Sequence, residues 1–259
     1  MIRRVVALTC SNTEIVCALG CADRLVAVDD HSDYPVEVVR ALPRVGPDLS
    51  IDVQRVASHA PDLVLASLSV PGHERVIENL ERAKLPFIAP EPRSLADVYE
   101  NIRQIGALLE VSDRAEALVA EMQRELAPRA QGQGPRILVE WWPKPVIVPG
   151  RDSWVNQLLG AAGAQNPLAE RAVKSTPLRD EEAAALEPDA SVISWCGVRL
   201  EKYRTDVVLR RPTWQHLELV KKRRVFPVTE AWLGRPGPRL VDGARALRRI
   251  VEQLSRVAP

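Results

Sequence analysis

The sequence predicts an α/β protein with two similar lobes, each built around a central, mostly parallel sheet. Short β-branched runs alternate with longer helical runs, and the second half repeats the order of elements in the first. A Gln/Gly/Pro stretch at 131–135 separates the halves. The predicted N-terminal lobe therefore spans 1–110, the connecting helical segment spans 111–133, and the C-terminal lobe spans 134–259.

The N-terminal lobe is predicted to contain four strands, at 4–8, 25–28, 62–66 and 86–89. Ser11 and Glu14 have the spacing of a capping box, which predicts that the first helix begins there. Gly20 is placed to end that helix. Two further helices are expected, at 94–110 and 113–126.

The C-terminal lobe contains the same four units in the same order, which argues against coincidence. They are a strand at 136–140, a helix that ends at Leu159-Gly160, a helix–Pro–Asp–strand unit over 184–194, and a strand at 224–228. Since parallel α/β sheets bind ligands at the carboxyl ends of their strands, we expect the ligand-binding residues of both lobes in the loops that follow these strands.

Composition and charge exclude several classes of protein. The 259 residues include 35 basic and 34 acidic ones, a net charge of +1, so no general electrostatic case for nucleic-acid binding exists. No apolar run reaches the roughly 18 residues of a membrane helix. The charge is uneven: 1–110 has 11 basic and 16 acidic residues, and 134–259 has 21 and 14. Either Arg-rich helix faces or attraction of an anionic ligand explains the positive second half.

The start of the chain suggests a location. The first predicted strand begins at about Arg4, so we expect no signal peptide and a cytoplasmic protein. Its four cysteines, Cys10, Cys17, Cys21 and Cys196, are then expected to be reduced. If a leader was removed, the protein instead works in the periplasm or elsewhere outside the cytoplasm.

Aromatic residues mark the predicted ligand surface. Four of the six tryptophans follow predicted strands, namely Trp141, Trp142, Trp195 and Trp232. Indoles at a crevice suit a large, flat, partly apolar ligand. The other candidate ligand-binding residues in these loops are Tyr34, Ser11, Ser67, Pro143 and Cys196. Trp154 and Trp214, on or beside predicted helices, are interpreted as packing residues.

Catalytic and metal sites are not supported by the motifs. The sequence has no nucleophile elbow, P-loop or dinucleotide-binding glycine motif. His73 and Glu74 begin like a zinc-protease motif, but position 77 is Ile, so the second ligand is missing. The three N-terminal cysteines lack the spacing of a zinc site. We expect no enzyme activity and no resident metal.

Several stretches resemble the substrate-binding proteins of ABC importers for vitamin B12, iron-siderophores and haem. The matching stretches are 11–14 with 19–20, 32–35 (Ser-Asp-Tyr-Pro), 61–64, 149–150, 158–166, 225–232 and 238–239. Of these, 32–35 and the region of Trp232 most resemble the vitamin B12-binding proteins. The resemblance covers nearly the whole chain in order.

This resemblance implies two Rossmann-like lobes joined by one long helix, with a metal-chelate macrocycle such as cobalamin held non-covalently in a cleft between them. It implies that Tyr34 and Trp232 face the ligand, with Trp142 and Pro143 on a ligand-facing loop. It implies that Glu74 docks on a permease if the protein is exported, and that the protein is a monomer. One departure is 67–69, which is Ser-Leu-Ser where the vitamin B12 binders have a Trp.

Two alternatives remain open. The first is a haem or iron-siderophore binder of an ABC importer, in which Tyr34 or His31 is an axial haem ligand. The second is a cytosolic corrinoid-handling protein or enzyme, in which Cys196 is the reactive group.

Overall fold

A computed structural model describes residues 1–129 and 134–256. The chain divides into two units, Met1–Gln123 and Arg124–Pro259, which we call the N-terminal and C-terminal units. The boundary falls inside a helix that covers Ser112–Glu125. Most of the segment 111–133 that was expected to connect the lobes is therefore part of the N-terminal unit. Residues 130–133, including most of the predicted Gln/Gly separator, lie outside the described residues.

The N-terminal unit contains a four-stranded parallel sheet in the order β2-β1-β3-β4. The strands are β1 (Val5–Ala7), β2 (Leu25–Val28), β3 (Leu63–Leu65) and β4 (Phe87–Ile88). The helices are α1 (Cys10–Ala18), α2 (Val36–Val39), α3 (Val53–Ser58), α4 (His73–Arg82), α5 (Leu95–Leu108) and α6 (Ser112–Glu125). All four predicted strands are present: β2 has its predicted bounds, and each of the other three is one residue shorter at each end.

The centre of this sheet is buried on both faces. Strand β1 pairs with β2 and β3 in parallel, so that Val6 lies opposite Ala27 on one side and Val64 on the other. All three residues are inaccessible to solvent. Strands covered on both faces are typically continuous apolar runs, which is why these short segments were recognisable in the sequence.

The first helix begins two residues earlier than a capping box with Ser11 as the N-cap would place it. Thr9, not Ser11, is the N-cap, and its side-chain oxygen accepts a hydrogen bond from the backbone N–H of Asn12 at 3.4 Å. Ser11 and Glu14 are buried inside the helix. The capping-box prediction was wrong because a second hydroxyl residue closer to the strand fills the cap position.

The predicted end of this helix at Gly20 is confirmed. Gly20 has a φ of +69°, the left-handed conformation that glycine adopts without a steric penalty. Its N–H donates to the carbonyl of Cys17, and the N–H of Cys21 donates to the carbonyl of Val16. This pair of hydrogen bonds is the Schellman motif.

The C-terminal unit contains two three-stranded sheets, one parallel (β10-β9-β5) and one antiparallel (β6-β7-β8). The strands are β5 (Ile137–Glu140), β6 (Trp142–Pro143), β7 (Val146–Pro149), β8 (Ser175–Leu178), β9 (Ala190–Ile193) and β10 (Val225–Pro227). The helices are α7 (Trp154–Ala162), α8 (Asp180–Ala184), α9 (Asp206–Leu209), α10 (Glu218–Lys221), α11 (Glu230–Leu233) and α12 (Leu240–Arg256).

The parallel sheet was predicted, whereas the antiparallel sheet was not. Trp142 and Pro143 were expected in a loop, but they form strand β6 and pair with Ile147 and Val146 of β7. The sequence does contain a signal for β7, the apolar run Val146–Pro149. Its partner β6 has only two residues, too few for an alternating pattern to be recognised.

The core of the C-terminal unit confirms that Trp154 and Trp214 are packing residues. Both side chains are buried, and Trp214 is fully inaccessible. The indole N–H of Trp154 donates to the carbonyl of Leu233 at 2.7 Å, and that of Trp214 donates to the carbonyl of Asp180 at 2.9 Å.

Within the described residues, no helix combines the length and apolar character that a membrane crossing requires.

Candidate ligand-binding site

The loop after β2 carries an exposed tyrosine close to a buried, hydrogen-bonded aspartate. Asp29 follows the strand and is fully buried. Its carboxylate accepts hydrogen bonds from the Ser32 hydroxyl at 2.5 Å and from the His31 backbone N–H at 2.9 Å. Burial raises the pKa of Asp29, and the hydrogen bond from Ser32 opposes that rise. Two residues further along, Tyr34 is 46% exposed.

A guanidinium fixes the main chain of the same loop. Nη1 of Arg44 donates to the carbonyls of Asp29 at 2.8 Å and Ser32 at 2.6 Å. The Ser32 hydroxyl also lies 2.8 Å from that of Thr13 in α1. The loop is thus tied to the sheet, to α1 and to Arg44. The hydrogen bonds therefore fix the main chain next to the exposed Tyr34.

Two histidines flank one carboxylate near this loop. Nε2 of His31 lies 3.8 Å from Oδ1 of Asp48, and Nε2 of His73 lies 3.6 Å from Oδ2. The interaction with His73 lowers the pKa of Asp48. His73 is buried, whereas more than half of the His31 side chain reaches solvent. Across the described residues, no group of three or more His, Cys, Asp or Glu side chains is placed to hold a metal ion.

Glu74 lies in the first turn of α4 and is exposed. Its Oε2 accepts a hydrogen bond from the backbone N–H of Gly72 at 2.8 Å. A carboxylate in this position complements the positive end of the helix dipole. The side chain is available at the surface, and its role in permease docking remains a prediction.

Ser11 and Ser67 are buried, contrary to the expectation that they face a ligand. The hydroxyl of Ser11 lies 3.2 Å from that of Thr9. The hydroxyl of Ser67 lies 3.0 Å from that of Ser69 and 3.3 Å from the carbonyl of Pro90. Both hydroxyls satisfy neighbouring polar groups at the ends of β1 and β3. We therefore interpret them as structural residues of these strand ends.

In the C-terminal unit, the short strand β6 presents an exposed indole. Trp142 is 42% exposed, and Trp141 and Pro143 on either side are half-buried. The Trp141 backbone N–H donates to the carbonyl of Ile147 at 2.8 Å, and its carbonyl accepts from the Cys196 N–H at 3.1 Å. Trp142 is therefore attached to a hairpin that is hydrogen-bonded on both sides.

Trp195 is a core residue, which corrects its assignment to the ligand surface. It is only 6% exposed and belongs to the hydrophobic core of the C-terminal unit. Its ring centroid lies 5.4 Å from that of Tyr203. A position just after a strand does not determine which way the side chain turns, and this indole turns inwards.

Cys196 reaches the surface but is a poor nucleophile. The surrounding protein and the nearby carboxylate of Glu230 raise the pKa of its thiol to about 12. The thiolate is the reactive form, and the raised pKa lowers the fraction of thiolate near neutral pH. This environment argues against a reaction that depends on Cys196.

Trp232 lies in the short helix α11 and is half-buried, rather than in an open loop as predicted. The start of this helix is tied to the end of β9 through Tyr203. The Tyr203 hydroxyl donates to the carbonyl of Trp195 at 3.0 Å and accepts from the Glu230 N–H at 3.3 Å. Trp232 is thus only partly accessible to solvent.

The buried ion pair at the end of β5 was not predicted from the sequence. Glu140, with no exposed side-chain area, accepts two hydrogen bonds from Arg211, at 2.8 and 2.9 Å. One signal was present: a glutamate ends the otherwise apolar strand Ile137–Glu140. The identity of its partner, 71 residues away, was not readable from the sequence.

The chain belongs to the periplasmic binding protein family, whose model matches residues 5–231. It is 30% identical over 255 residues to an uncharacterized ABC transporter substrate-binding lipoprotein, YvrC, of Bacillus subtilis, covering 95% of this chain and 78% of that protein. It is 26% identical over 263 residues to the vitamin B12-binding protein of Pectobacterium carotovorum, covering 99% and 90%. The family resemblance predicted from the motifs is thus confirmed.

A solved structure supports the same fold. The periplasmic heme-binding protein RhuT from Roseiflexus in its apo form superimposes with a TM-score of 0.83 at 26% identity, covering 98% of this chain and 100% of that one. The predicted α/β class with parallel sheets is confirmed. These relatives are named as binding or transport proteins, as expected for a non-enzyme. Their names include a lipoprotein and a periplasmic protein, so the predicted cytoplasmic location gains no support.

Proposed function

We propose that this protein is the substrate-binding component of an ABC importer and that its ligand is a corrinoid of the vitamin B12 type. One observation carries the proposal. The two exposed aromatic side chains among the described residues, Tyr34 and Trp142, both follow buried strand ends whose carboxylates are anchored by hydrogen bonds. Exposed rings on rigid bases suit stacking against a flat macrocycle.

The choice of a corrinoid draws on two further observations. Tyr34 belongs to the Ser-Asp-Tyr-Pro stretch, which resembles the vitamin B12 binders. Relatives named vitamin B12-binding proteins match at 24 to 26% identity over nearly the whole chain. In this proposal Tyr34, Trp142, Pro143 and Trp232 contact the ligand. Trp141 and Cys196 shape the hairpin behind them.

The proposal places the protein outside the cytoplasm, with an ABC permease as its partner. The named lipoprotein and periplasmic relatives favour this location over the cytoplasmic one. Glu74 is the proposed docking residue in the N-terminal unit because its carboxylate is exposed at the start of α4. A matched test is Glu74→Gln, which should weaken permease stimulation without changing ligand affinity.

Haem is the second candidate ligand, and His31 favours it. Its imidazole is more than half exposed, close in sequence to Tyr34, and faces Asp48. A carboxylate beside a histidine strengthens the histidine as a metal ligand. Structures of heme-binding proteins match at 26% identity with TM-scores of 0.79 to 0.83.

One titration experiment separates the candidates. The purified protein is titrated with cyanocobalamin, hemin and a ferric siderophore, with visible absorption and calorimetry as readouts. We expect saturable binding of cyanocobalamin, weakened by Tyr34→Ala. Hemin binding with a Soret shift that His31→Ala abolishes would establish the haem alternative and overturn the corrinoid proposal.

A further inference from the structure

The Glu140–Arg211 pair is buried and is joined by two hydrogen bonds, one from each terminal guanidinium nitrogen to a different carboxylate oxygen. The Arg211 side chain is 3% exposed. Besides Arg211, Glu140 accepts a hydrogen bond from the Ser191 hydroxyl at 2.9 Å. Burial raises the pKa of Glu140, and the adjacent guanidinium opposes that rise. Buried ion pairs are often no more stabilising than apolar residues of similar size, so stability alone does not account for this one.

Arg211 also holds groups other than Glu140. Its Nη2 donates to the carbonyl of Pro143 at 3.2 Å, and its Nε lies 3.5 Å from Oδ1 of Asp180. The guanidinium carbon lies 4.4 Å from the ring centroid of Trp214. The planar guanidinium is therefore contacted along its edges and on one face. A lysine ammonium cannot make these contacts at once, because it is a point charge on a flexible stem.

Two of these contacts lie on either side of Trp142 in the sequence. Glu140 is the last residue of β5 and Pro143 is the last residue of β6, so Arg211 bonds to both ends of a four-residue stretch. Trp142 lies inside that stretch. Strand β6 is only two residues long and lies at the edge of its sheet, where it pairs with β7 alone. The bond from Arg211 to Pro143 thus adds a contact to this strand beyond its pairing with β7.

We propose that Arg211 is a positioning residue for ligand binding, which fixes the orientation of Trp142 through the carbonyl of Pro143 while Glu140 holds its guanidinium in place. This inference rests on the proposed function, since it assigns Trp142 to the ligand surface. Arg211 itself does not touch the ligand; it acts through β6.

The first test needs no ligand. Arg211→Lys keeps the positive charge but loses the planar guanidinium, which donates to Glu140 and Pro143 at the same time. We expect it to increase acrylamide quenching of Trp142, measured as the difference between each protein and its Trp142→Phe counterpart. Arg248→Lys is the matched control, because Arg248 is a partly buried arginine of the same unit that bonds to the carbonyls of Ala161 and Glu125. The control should leave the Trp142 signal unchanged.

The second test measures affinity for cyanocobalamin and for hemin. Arg211→Lys should weaken binding of the cognate macrocycle roughly tenfold, and no further loss should occur in a Trp142→Ala background. Where the lysine variant does not fold, Glu140→Gln combined with Arg211→Gln removes both charges and the contact with Pro143 together. An unchanged Trp142 signal, or an equal affinity loss with and without Trp142, would overturn the inference.

Failure of the proposed function has a different signature. If neither macrocycle binds the parent protein, the ligand assignment is wrong. The quenching comparison still decides whether Arg211 positions Trp142.

Discussion

The two units present their exposed aromatic rings by different chemistry. In the N-terminal unit, the buried carboxylate of Asp29 accepts hydrogen bonds from neutral donors close in sequence. In the C-terminal unit, the buried carboxylate of Glu140 binds a guanidinium 71 residues away. A local polar turn thus lies next to Tyr34, and a long-range ion pair lies next to Trp142 in the sequence. The ion pair brings two charges out of water, so breaking it costs more than loosening the turn.

The largest expected effect comes from removing one carboxylate charge in each unit. Glu140→Gln leaves the buried Arg211 guanidinium with only the partly exposed Asp180 carboxylate, 3.5 Å from its Nε, as a counter-charge, and should lower the free energy of unfolding by about 3 kcal/mol. Asp29→Asn weakens hydrogen bonds from neutral donors but leaves no buried charge without a partner, so it should cost less, about 1–2 kcal/mol. Urea unfolding followed by circular dichroism measures both. Equal losses would show that the two carboxylates contribute equally to stability.

The next effect concerns the rings themselves. Tyr34→Ala and Trp142→Ala should each weaken macrocycle binding by about 1–3 kcal/mol, because each removes a stacking surface. Both side chains are exposed, so the free energy of unfolding should change by no more than about 0.5 kcal/mol. Leu200→Ala, at a comparably exposed apolar residue of the C-terminal unit, is the control. Normal binding by both aromatic variants would refute the assigned ligand surface.

The sequence predicted those parts of the fold that depend on local patterns. The buried strands were recognisable because β-branched runs such as Val5–Ala7 and Ile137–Glu140 are covered by protein on both faces. The end of α1 was predictable because Gly20 takes a left-handed conformation. Tyr34 and Trp142 were predicted as ligand residues, and the structure places both at the surface.

The features that were missed depend on tertiary contacts. The inward turn of Trp195 follows from its packing against Tyr203, which no local pattern announces. Arg211 resembles any other basic residue in an Arg-rich half until its partner Glu140 is located. The predicted start of α1 was wrong for a different reason. Thr9 and Ser11 are both suitable N-cap residues, and the position at which β1 ends determines which of them caps the helix.

A smaller effect should appear in the acid stability of the N-terminal unit. The interaction with His73 lowers the pKa of Asp48 below its unfolded value. This contribution to stability is therefore present above the unfolded pKa, near 4, and is lost as the pH falls through the folded pKa. Since a third of the Asp48 side chain reaches water, we expect less than about 1 kcal/mol.

Asp48→Asn tests this contribution. The variant should be less stable than the parent at pH 7, and the difference should shrink as the pH falls below 4. The exposed Glu78→Gln serves as the control in thermal unfolding across this range. A stability difference that stays constant with pH would contradict the assignment to the Asp48 carboxylate.

The smallest expected effect concerns the reactivity of the Cys196 thiol, beside the hairpin that carries Trp142. The backbone N–H of Cys196 donates to the carbonyl of Trp141, so this residue is joined to the hairpin that carries Trp142. Its surroundings and Glu230 raise the pKa of the thiol to about 12. Alkylation by iodoacetamide requires the thiolate, so the rate at Cys196, followed by mass spectrometry of its peptide, should keep rising beyond pH 10. Glu230→Gln removes the charge that disfavours the thiolate and should speed labelling a few-fold at fixed pH. A rate that levels off near pH 9 would mean that the thiol is ordinary, and the argument against a reactive Cys196 would fail with it.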